Sequence, residues 1–162
     1  MPIIGGDLVR LRPVDMSYDI DLAVPWYQDP EVIRYSEGKD VKPYDRETVE
    51  RMYAHLSGKG EFFIIEVLER NVWKPVGDAA LTSDSLPIVI GDRNYRSRGI
   101  GKKVLKMLIS RARELGWKEL KVKGIFEYNE RSIRLYSSAG FKPTDRKINK
   151  HGTEEIAFTL QL

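Results

Sequence analysis

The sequence predicts one domain of the α/β or α+β class, with helices packed around a single mixed sheet. Three observations lead to this prediction. The length of 162 residues suits one domain with its own hydrophobic core. The composition, 41% hydrophobic and 31% charged, is ordinary for a folded globular protein. Strand-like and helix-like patterns follow one another along the chain without a repeat, a low-complexity tract or a linker.

The first half of the chain predicts a strand, a group of helices and two paired strands. DLVRLRPV alternates as a strand does, and DIDLAVPWYQDPEVIRY has a helical pattern broken near Pro25 and Pro30. Asp45 can cap a further helix, because apolar residues recur behind it at helical spacing. These residues are Val49, Met52, Tyr53 and Leu56. EFFIIEVL and KPVGDAALTSD, on either side of the turn-like ERN, predict a pair of strands.

The second half predicts an alternation of strands and helices. LPIVIG suits a short buried strand, and the amphipathic helix that follows Gly101 ends at Gly116. LKVKGI predicts another strand. Asn129 can cap a short helix through Ser138, with Gly140 just beyond its end. The final strand, EEIAFTLQL, places its large apolar residues on one face.

The charges are unevenly distributed, although the net charge is only +3. Residues 93–113 contain eight Lys or Arg and no Asp or Glu, whereas residues 15–50 contain ten acidic and four basic residues. The first segment suits an anionic ligand and the second suits a cationic one. Solvated helix faces are the alternative interpretation of both segments.

The composition also argues against several functional classes. No run of about 18 apolar residues predicts a membrane span. The N-terminus lacks the pattern of a secretory signal, so we expect a cytoplasmic location. The absence of cysteine excludes disulfides and cysteine nucleophiles, and two scattered histidines lead us to expect no metal cofactor.

A glycine-rich turn between LPIVIG and the next helix predicts an anion site. The first N–H groups of a helix lack carbonyl partners and lie at the positive end of the helix dipole. Gly99 and Gly101 would let a phosphate approach the backbone closely. Four cationic side chains lie nearby in the sequence: Arg96, Arg98, Lys102 and Lys103. A P-loop is excluded because it requires glycine at position 96, and a dinucleotide fingerprint because it requires glycine at position 104.

Two patterns in the chain resemble those of the GNAT superfamily of acyl-CoA N-acyltransferases. Arg96-Ser-Arg-Gly99-Ile-Gly101 matches its pyrophosphate-binding turn, which has Arg or Gln first, then Gly, then Gly or Ala. About 30 residues later, NERSIRLYSSAGF matches the family pattern Asn-x-x-Ala/Ser-x-x-Leu-Tyr-x-x-x-Gly-Phe. The resemblance is close over residues 76–143. The stretch VPWYQDPEVIRYSEG is loosely similar to the branch of ribosomal-protein N-terminal and aminoglycoside 6′-N-acetyltransferases.

The resemblance implies a single acyltransferase domain over residues 1–162, with a twisted, mostly antiparallel sheet whose strands splay apart at the CoA site. Residues 1–75 would form the first strand and the acceptor-side helices and strands, and residues 76–162 the CoA-binding core and C-terminal strands. The implied reaction is direct attack of a primary amine on acetyl-CoA through a tetrahedral intermediate. The acceptor would be a small molecule or a peptide N-terminus.

The resemblance also implies which residues contact acetyl-CoA as cosubstrate. The N–H groups from Arg98 to Lys102 would cradle the pyrophosphate, and the backbone of Val89, Ile90 and Gly91 would pair with the pantetheine arm. Asn129 would bind that arm, cap its helix, or do both. The implied CoA-binding residues are Val89, Ile90, Gly91, Arg96, Arg98, Gly99, Ile100, Gly101, Lys102, Asn129 and Ser132.

Tyr136 matches the tyrosine of the second pattern, which implies that it is the general acid for the leaving thiolate. Packing in the core is the alternative role of this side chain. The oxyanion would be stabilised by a backbone N–H near Ile90 or Gly91. LPIVIG contains no carboxylate, so the general base is left open among Asp92, Asp84 and Glu37.

Three matters stay open in the sequence. Glu31, Glu37 or Asp40 could attract a cationic acceptor, which suits a polyamine, an aminoglycoside or a peptide N-terminus equally. A basic nucleic-acid-binding module and a catalytically silent CoA-binding sensor are the alternative functions. The oligomeric state is left open, with a homodimer as one candidate because dimers are common in the superfamily, and we expect neither a membrane nor a nucleic acid as a partner.

Overall fold

The computed structural model describes residues 3–162. Within this range the chain forms strands and helices in the following order. They are β1 (Ile4–Gly5), β2 (Val9–Pro13), α1 (Asp19–Tyr27), α2 (Pro30–Ser36), α3 (Arg46–Lys59), β3 (Gly60–Glu69), β4 (Val72–Thr82), β5 (Ile88–Ile90), a one-turn 3₁₀ helix (Arg93–Tyr95), α4 (Ile100–Glu114), β6 (Glu119–Phe126), α5 (Glu130–Ser138), β7 (Lys142–Ile148) and β8 (Glu154–Gln161).

The strands form two sheets, and every ladder within residues 3–162 is antiparallel. Five strands pair in the order β1-β2-β3-β4-β5, and three pair in the order β6-β8-β7. No ladder joins β5 to β6 in this part of the chain. The predicted α/β class and the splayed strands are confirmed. The expected single mixed sheet is corrected to two antiparallel sheets, because β5 and β6 separate.

The hairpin of β3 and β4 lies at the centre of the larger sheet. Its turn contains Arg70 and Asn71 with φ of 52° and 63°, a left-handed conformation that suits short connections between antiparallel strands. A register shift in this hairpin leaves Val76 out of the pairing with β3. The Val76 carbonyl instead accepts hydrogen bonds from the N–H groups of Gly91 (2.9 Å) and Asp92 (3.0 Å), which anchors the end of β5.

Helices cover both faces of this hairpin and create two cores. Phe63 and Ile65 contribute to a core with α4 and α5, whereas Phe62 and Ile64 contribute to a core with α1, α2 and α3. Successive side chains of a strand point to opposite faces. The continuous apolar run in β3 therefore supplies both cores, as is typical of a strand buried on both sides.

The predicted helix caps at Asp45 and Asn129 are confirmed. Asp45 Oδ1 accepts a hydrogen bond from the Thr48 N–H at 2.8 Å, and Asn129 Oδ1 accepts one from the Ser132 N–H at 3.2 Å. The predicted break near Pro25 is corrected, because Pro25 lies inside α1. The chain leaves the helix only before Asp29, which caps α2.

β7 was not predicted from the sequence. All seven of its residues are exposed, so it has no apolar alternation, and only its pairing with β8 defines it as a strand. No helix within residues 3–162 is both long and apolar enough to cross a membrane.

Candidate active site

A cleft of about 800 Å³ lies between β5 and β6, where the two sheets separate. Residues 85–90 line one wall and residues 122–125 line the opposite wall. The start of α4 and one face of α5 line the cleft on one side, and α2 lines it through Tyr35 and Ser36 on the other. The gap between the splayed strands is where the resemblance places the pantetheine arm.

The N-terminus of α4 provides backbone donors at this cleft. Gly99 begins the helix in a left-handed conformation (φ 77°), and Ser97 two residues earlier also has positive φ (58°). A Cβ at Gly99 would meet no atom within 4 Å, so the backbone there opens onto free space. The first-turn N–H groups of Ile100, Gly101 and Lys102 have no intrahelical partner. This open backbone and the helix dipole suit a pyrophosphate.

Backbone groups at the free edge of β5 also point to the cleft. Ala80 donates to the Pro87 carbonyl at 3.0 Å and Gly91 donates to the Val76 carbonyl at 2.9 Å. In an antiparallel ladder every second residue of a strand bonds to the neighbouring strand. Val89, which lies between Pro87 and Gly91 and opposite Asp78, therefore also bonds to β4. The N–H and carbonyl groups of Ile88 and Ile90 therefore point to the open edge. Ile88 was not predicted from the sequence as a CoA-binding residue, because the pairing with β4 decides which residues of β5 point to the open edge.

The pairing of β5 with β4 changes the roles predicted for Val89 and Gly91, because their backbone groups bond to β4 and not to a ligand. The Gly91 N–H is bonded to Val76 and cannot also serve an oxyanion. The Ile90 N–H points to the cleft and fits that role. Gly91 needs to be glycine for another reason, because a Cβ there would lie 2.2 Å from Trp26 Cγ.

The structure gives Arg96 a different role from the predicted contact with pyrophosphate. Its guanidinium bonds to the carbonyls of Ile90 (3.0 Å) and Gly91 (3.1 Å), and to Asp29 (3.3 Å) and Glu31 (3.1 Å). The side chain is 12% exposed. Arg96 lines the cleft but its donors are used to tie the end of β5 to the start of α2.

The Arg98 side chain is not among the groups that line the cleft. It donates to the Asn94 carbonyl at 3.1 Å and lies over the Tyr95 ring at 4.9 Å. The predicted contact of Arg98 with the pyrophosphate stays a prediction.

Tyr136 is buried at the wall of the cleft, with 5% of its surface exposed. Its hydroxyl donates to the Leu86 carbonyl at 2.6 Å, and its ring packs edge-on against Phe141. Burial raises the pKa of Tyr136 above its ordinary value of 10. The side chain thus packs in the core, as the alternative interpretation of the sequence had it, and its protonated hydroxyl lies close to the start of β5. Its role as general acid stays a prediction.

The three candidate bases differ in their surroundings. Asp92 is not among the residues lining the cleft; it caps the 3₁₀ helix through the Asn94 N–H (3.0 Å) and lies 3.6 Å from Lys74 Nζ. Asp84 pairs with Lys123 and Lys59, which lower its pKa to about 2. A carboxylate with so low a pKa is a weak base.

Glu37 has the most suitable surroundings of these carboxylates. Like Asp92 it is not among the residues that line the cleft, but it caps the end of α2 directly after Ser36, which does line it. Burial raises the pKa of Glu37, against the effect of a hydrogen bond from the Tyr44 hydroxyl. A raised pKa moves a carboxylate closer to the value required of a base near neutral pH.

Asn129 and Ser132 both line the cleft. The Asn129 side chain is already engaged at both ends, because Oδ1 caps α5 and Nδ2 donates to the Tyr35 carbonyl at 3.3 Å. Its predicted role as a helix cap is therefore the one that its geometry supports, and it also joins α5 to α2.

The uneven charges of the sequence are partly neutralised by pairing. Glu31 pairs with Arg96 at 3.1 Å, and Asp40 lies 3.6 Å from His151. Arg111 of the basic helix forms two hydrogen bonds of 2.8 Å with Glu61. Among residues 3–162, no three His, Cys, Asp or Glu side chains converge as metal ligands would.

A buried carboxylate, Asp78 on β4, was also missed from the sequence. It is 2% exposed and accepts hydrogen bonds from the hydroxyls of Tyr53 (2.6 Å) and Tyr27 (2.8 Å). Burial raises its pKa to about 7. The sequence did contain a signal of a buried carboxylate, since Asp78 interrupts the apolar strand VGDAAL. Its two hydrogen-bond partners could not be predicted, because Tyr27 and Tyr53 lie in helices far from it in the chain.

Comparisons with known proteins bear on this site. A family model described as an acetyltransferase (GNAT) domain matches residues 9–142. A solved domain from Methanocaldococcus jannaschii is 23% identical, with 95% of this chain and 98% of that chain covered and a TM-score of 0.78. Aminoglycoside acetyltransferase AAC(6′)-Ib in complex with coenzyme A is 14% identical, with 94% of each chain covered and a TM-score of 0.75.

One curated relative is similar over a shorter stretch. A probable spermine N(1)-acetyltransferase of Bacillus subtilis subsp. natto is 43% identical over 51 residues. The match covers 32% of this chain and about a third of the length of that relative (34%).

Proposed function

The chain belongs to the GNAT acetyltransferase family, and from this premise we propose that it transfers an acetyl group from acetyl-CoA to a primary amine of a small molecule or of a peptide N-terminus. The observation that carries the proposal is the cleft between β5 and β6. It brings together the anion-binding start of α4, the open edge of β5 and the Tyr136 hydroxyl. The similarity to a protein named as a spermine acetyltransferase adds polyamines to the acceptors that should be tested.

The residues at the cleft suit the two chemically different parts of acetyl-CoA. The N–H groups of residues 99–102 would hold the pyrophosphate, and Lys102 would add a positive charge. The N–H and carbonyl of Ile88 would pair with the amides of the pantetheine arm, as an added strand would. The Ile90 carbonyl is bonded to Arg96, so only the Ile90 N–H is left for the ligand. The side chain of Arg96 would act indirectly, by fixing the end of β5 against α2.

When bound, acetyl-CoA supplies a thioester carbonyl, so that a C–N bond to the acceptor forms and the C–S bond breaks. The Ile90 N–H would stabilise the negative charge on the carbonyl oxygen. The acceptor amine must lose a proton, since an ordinary pKa near ~10 leaves it almost wholly protonated at pH 7. Glu37 would take this proton, directly or through a water molecule.

Tyr136 would stabilise the departing sulfur through its hydroxyl hydrogen, which would have to turn from the Leu86 carbonyl (2.6 Å) toward the sulfur. Because burial raises its pKa, Tyr136 stays protonated across the physiological range. Complete transfer of its proton to a thiolate, whose ordinary pKa is ~8.5, is unfavourable. We therefore assign to Tyr136 the donation of a hydrogen bond, with the final proton supplied by solvent.

Calorimetric titration with acetyl-CoA, followed by CoA, tests the first half of the proposal. Binding in the micromolar range is expected, and the absence of binding to either compound would overturn it. Turnover can then be followed as thiol release over a panel of amines. The chain contains no cysteine, so the free thiol measured in this assay comes from CoA alone. Binding without turnover of any amine would instead favour a CoA-binding sensor.

The domain division, the cytoplasmic location and the homodimer stay predictions from the sequence. Size measurement in solution tests the homodimer, which would elute as a species of twice the chain mass of 18.7 kDa.

A further inference from the structure

Three aromatic rings form a cluster beside the cleft, and we call Tyr35, Phe126 and Tyr128 the aromatic cluster. The rings of Phe126 and Tyr128 are stacked, with centroids 5.3 Å apart and planes 3° apart. The Tyr35 ring lies 5.8 Å from the Tyr128 ring at an angle of 53°. Tyr35 and Tyr128 both line the cleft, so a ligand in the cleft can reach the cluster.

The aromatic cluster already binds cations that belong to the chain. Lys39 Nζ lies 4.6 Å from the centroid of the Tyr128 ring. The Arg34 guanidinium lies 5.4 Å from the same ring and 5.9 Å from the Tyr35 ring. These distances are within the range of cation–π attraction. The rings therefore form a surface that attracts positive charge, and two flexible side chains occupy it.

The position of the aromatic cluster is held by hydrogen bonds to the backbone of α2. The Tyr128 hydroxyl donates to the Arg34 carbonyl, and Asn129 Nδ2 donates to the Tyr35 carbonyl at 3.3 Å. These bonds fix the loop after β6 against the last turn of α2, whose carbonyl end favours cations. The carboxylates of Glu37 and Asp40 follow in the same stretch of chain and add negative charge.

We propose that the aromatic cluster is a subsite for a second cationic group of the acceptor, so that the protein selects linear diamines and polyamines over monoamines. This inference rests on the proposed function, because it places the acceptor in the same cleft. A chain of methylene groups suits the apolar ring faces, whereas the hydroxyl groups of a sugar would find few hydrogen-bond partners there. Lys39 acts as an internal occupant, which the distal ammonium of the acceptor displaces from the Tyr128 ring.

The first test compares acceptors of equal length with and without the second charge. Straight-chain diamines and the corresponding monoamines are assayed by thiol release at fixed, saturating acetyl-CoA. The ratio of kcat/KM for diamine over monoamine should exceed one by about 3- to 30-fold, as expected from one cation–π contact. A ratio near one at every chain length would overturn the inference, while turnover of monoamines would still support the proposed function.

Substitutions at Tyr128 separate the ring from the hydroxyl. Tyr128→Phe keeps the ring and removes the bond to the Arg34 carbonyl, whereas Tyr128→Leu removes the aromatic face. The diamine-to-monoamine ratio should fall toward one in Tyr128→Leu and be retained in Tyr128→Phe. Equal loss in both variants would assign the effect to the hydroxyl and contradict the subsite. Tyr18→Leu is the matched control, since Tyr18 is 66% exposed and lies at the start of α1.

Substitution of Lys39 should change the diamine-to-monoamine ratio in the opposite direction from Tyr128→Leu. Lys39→Met should raise the ratio by removing the competing ammonium, whereas Lys42→Met, an exposed lysine of the same loop, should leave it unchanged. Equal effects of the two variants would indicate a general charge effect and would count against displacement of Lys39.

The cation subsite can also be tested by a binding measurement that requires no acetyl transfer. A bis-quaternary ammonium alkane has two cationic ends and no amine to acetylate, and aromatic clusters bind such groups. Calorimetry should detect its binding to the wild-type protein and weaker binding to Tyr128→Leu. If no amine is turned over, the proposed function fails, and this titration still decides whether the cation subsite exists. Equal affinity for both proteins would overturn the subsite.

Discussion

Burial changes the chemistry of individual side chains in this protein, and Tyr136 shows the effect most clearly. Its hydroxyl is close to the start of β5 and bonds to the Leu86 carbonyl. Because burial raises its pKa, the group is a poor proton donor in the thermodynamic sense but is always protonated. Such a group is suited to stabilising negative charge by a hydrogen bond.

Tyr136→Phe should lower kcat by about 10²-fold, the typical effect of removing one donor to a developing negative charge. The phenyl ring preserves the contact with Phe141, so unfolding free energy should fall by only about 1 kcal/mol for the lost hydrogen bond. The affinity for CoA, measured by calorimetry, should change little. Full turnover in this variant would show that Tyr136 has a packing role only.

At the scale of secondary-structure elements, the start of α4 combines a left-handed glycine with an open surface. Gly99 has φ of 77° with no atom near its missing Cβ. Gly116, at the other end of the helix, has nearly the same conformation (φ 80°) and equally open surroundings. The two glycines differ in that only Gly99 lines the cleft.

Gly99→Ala and Gly116→Ala should therefore destabilise the protein equally, by about 1–2 kcal/mol, because both force a side chain into a left-handed conformation. Only Gly99→Ala should also weaken CoA binding, since its methyl group would point into the space proposed for the pyrophosphate. Thermal unfolding and calorimetry measure the two effects. Equal CoA affinity in both variants would contradict the assignment of the anion site.

Arg96 acts between elements, since it joins the carbonyls at the end of β5 to carboxylates at the start of α2. Lysine preserves the charge but not the planar arrangement of donors. Arg96→Lys should therefore lower both the unfolding temperature and the affinity for acetyl-CoA. If Arg96 bound the pyrophosphate directly and had no role within the protein, the lysine variant would lose affinity for acetyl-CoA and keep its unfolding temperature. Arg98→Ala is the control, because the Arg98 side chain lies outside the cleft.

At the scale of the whole molecule, the five-stranded sheet separates two cores, and one of them contains a buried carboxylate. Asp78 joins β4 to α1 through Tyr27 and to α3 through Tyr53. The charge of Glu37 also acts on it and raises its pKa further. The core formed with α1, α2 and α3 is thus held partly by hydrogen bonds to a carboxyl group whose pKa burial raises to about 7.

The pKa of Asp78 predicts how stability depends on pH. Burial raises this pKa from 3.8 to about 7, so the folded protein binds the proton more tightly than the unfolded chain. The contribution is therefore fully present below pH 3.8 and is lost as the pH rises through about 7.

Asp78→Asn removes this titration. The difference in unfolding temperature, wild type minus Asp78→Asn, should decrease as the pH rises from 4 to 7. Asp7→Asn, at an exposed aspartate, should give a difference that does not vary with pH. A difference that increases with pH would mean that the two tyrosine hydroxyls keep Asp78 ionised, with a lowered pKa.

Much of the fold and of the family assignment follows from local patterns. The apolar spacing behind Asp45 and behind Gly101 predicts α3 and α4, and the glycine turn with the pattern from Asn129 predicts the family. β7 escapes such prediction, since an exposed strand carries no apolar alternation. Among the site residues, the turn at Gly99 and the position of Tyr136 at the cleft could be anticipated, because helix starts and motif positions are local features.

The sequence by itself determined the fold class, the family and the location of the glycine turn at the start of α4, because each depends on residues close together in the chain. Only the tertiary structure decided which groups face the cleft. The pairing of β5 with β4 turns the backbone groups of Ile88, rather than those of Val89, toward the open edge. Arg96 bonds to Asp29 and Glu31, which lie more than 60 residues earlier in the chain. The Asp78 cluster and the aromatic cluster likewise join side chains from distant segments. Hydrogen-bond parity and burial depend on neighbours in space, and these neighbours are not adjacent in the sequence.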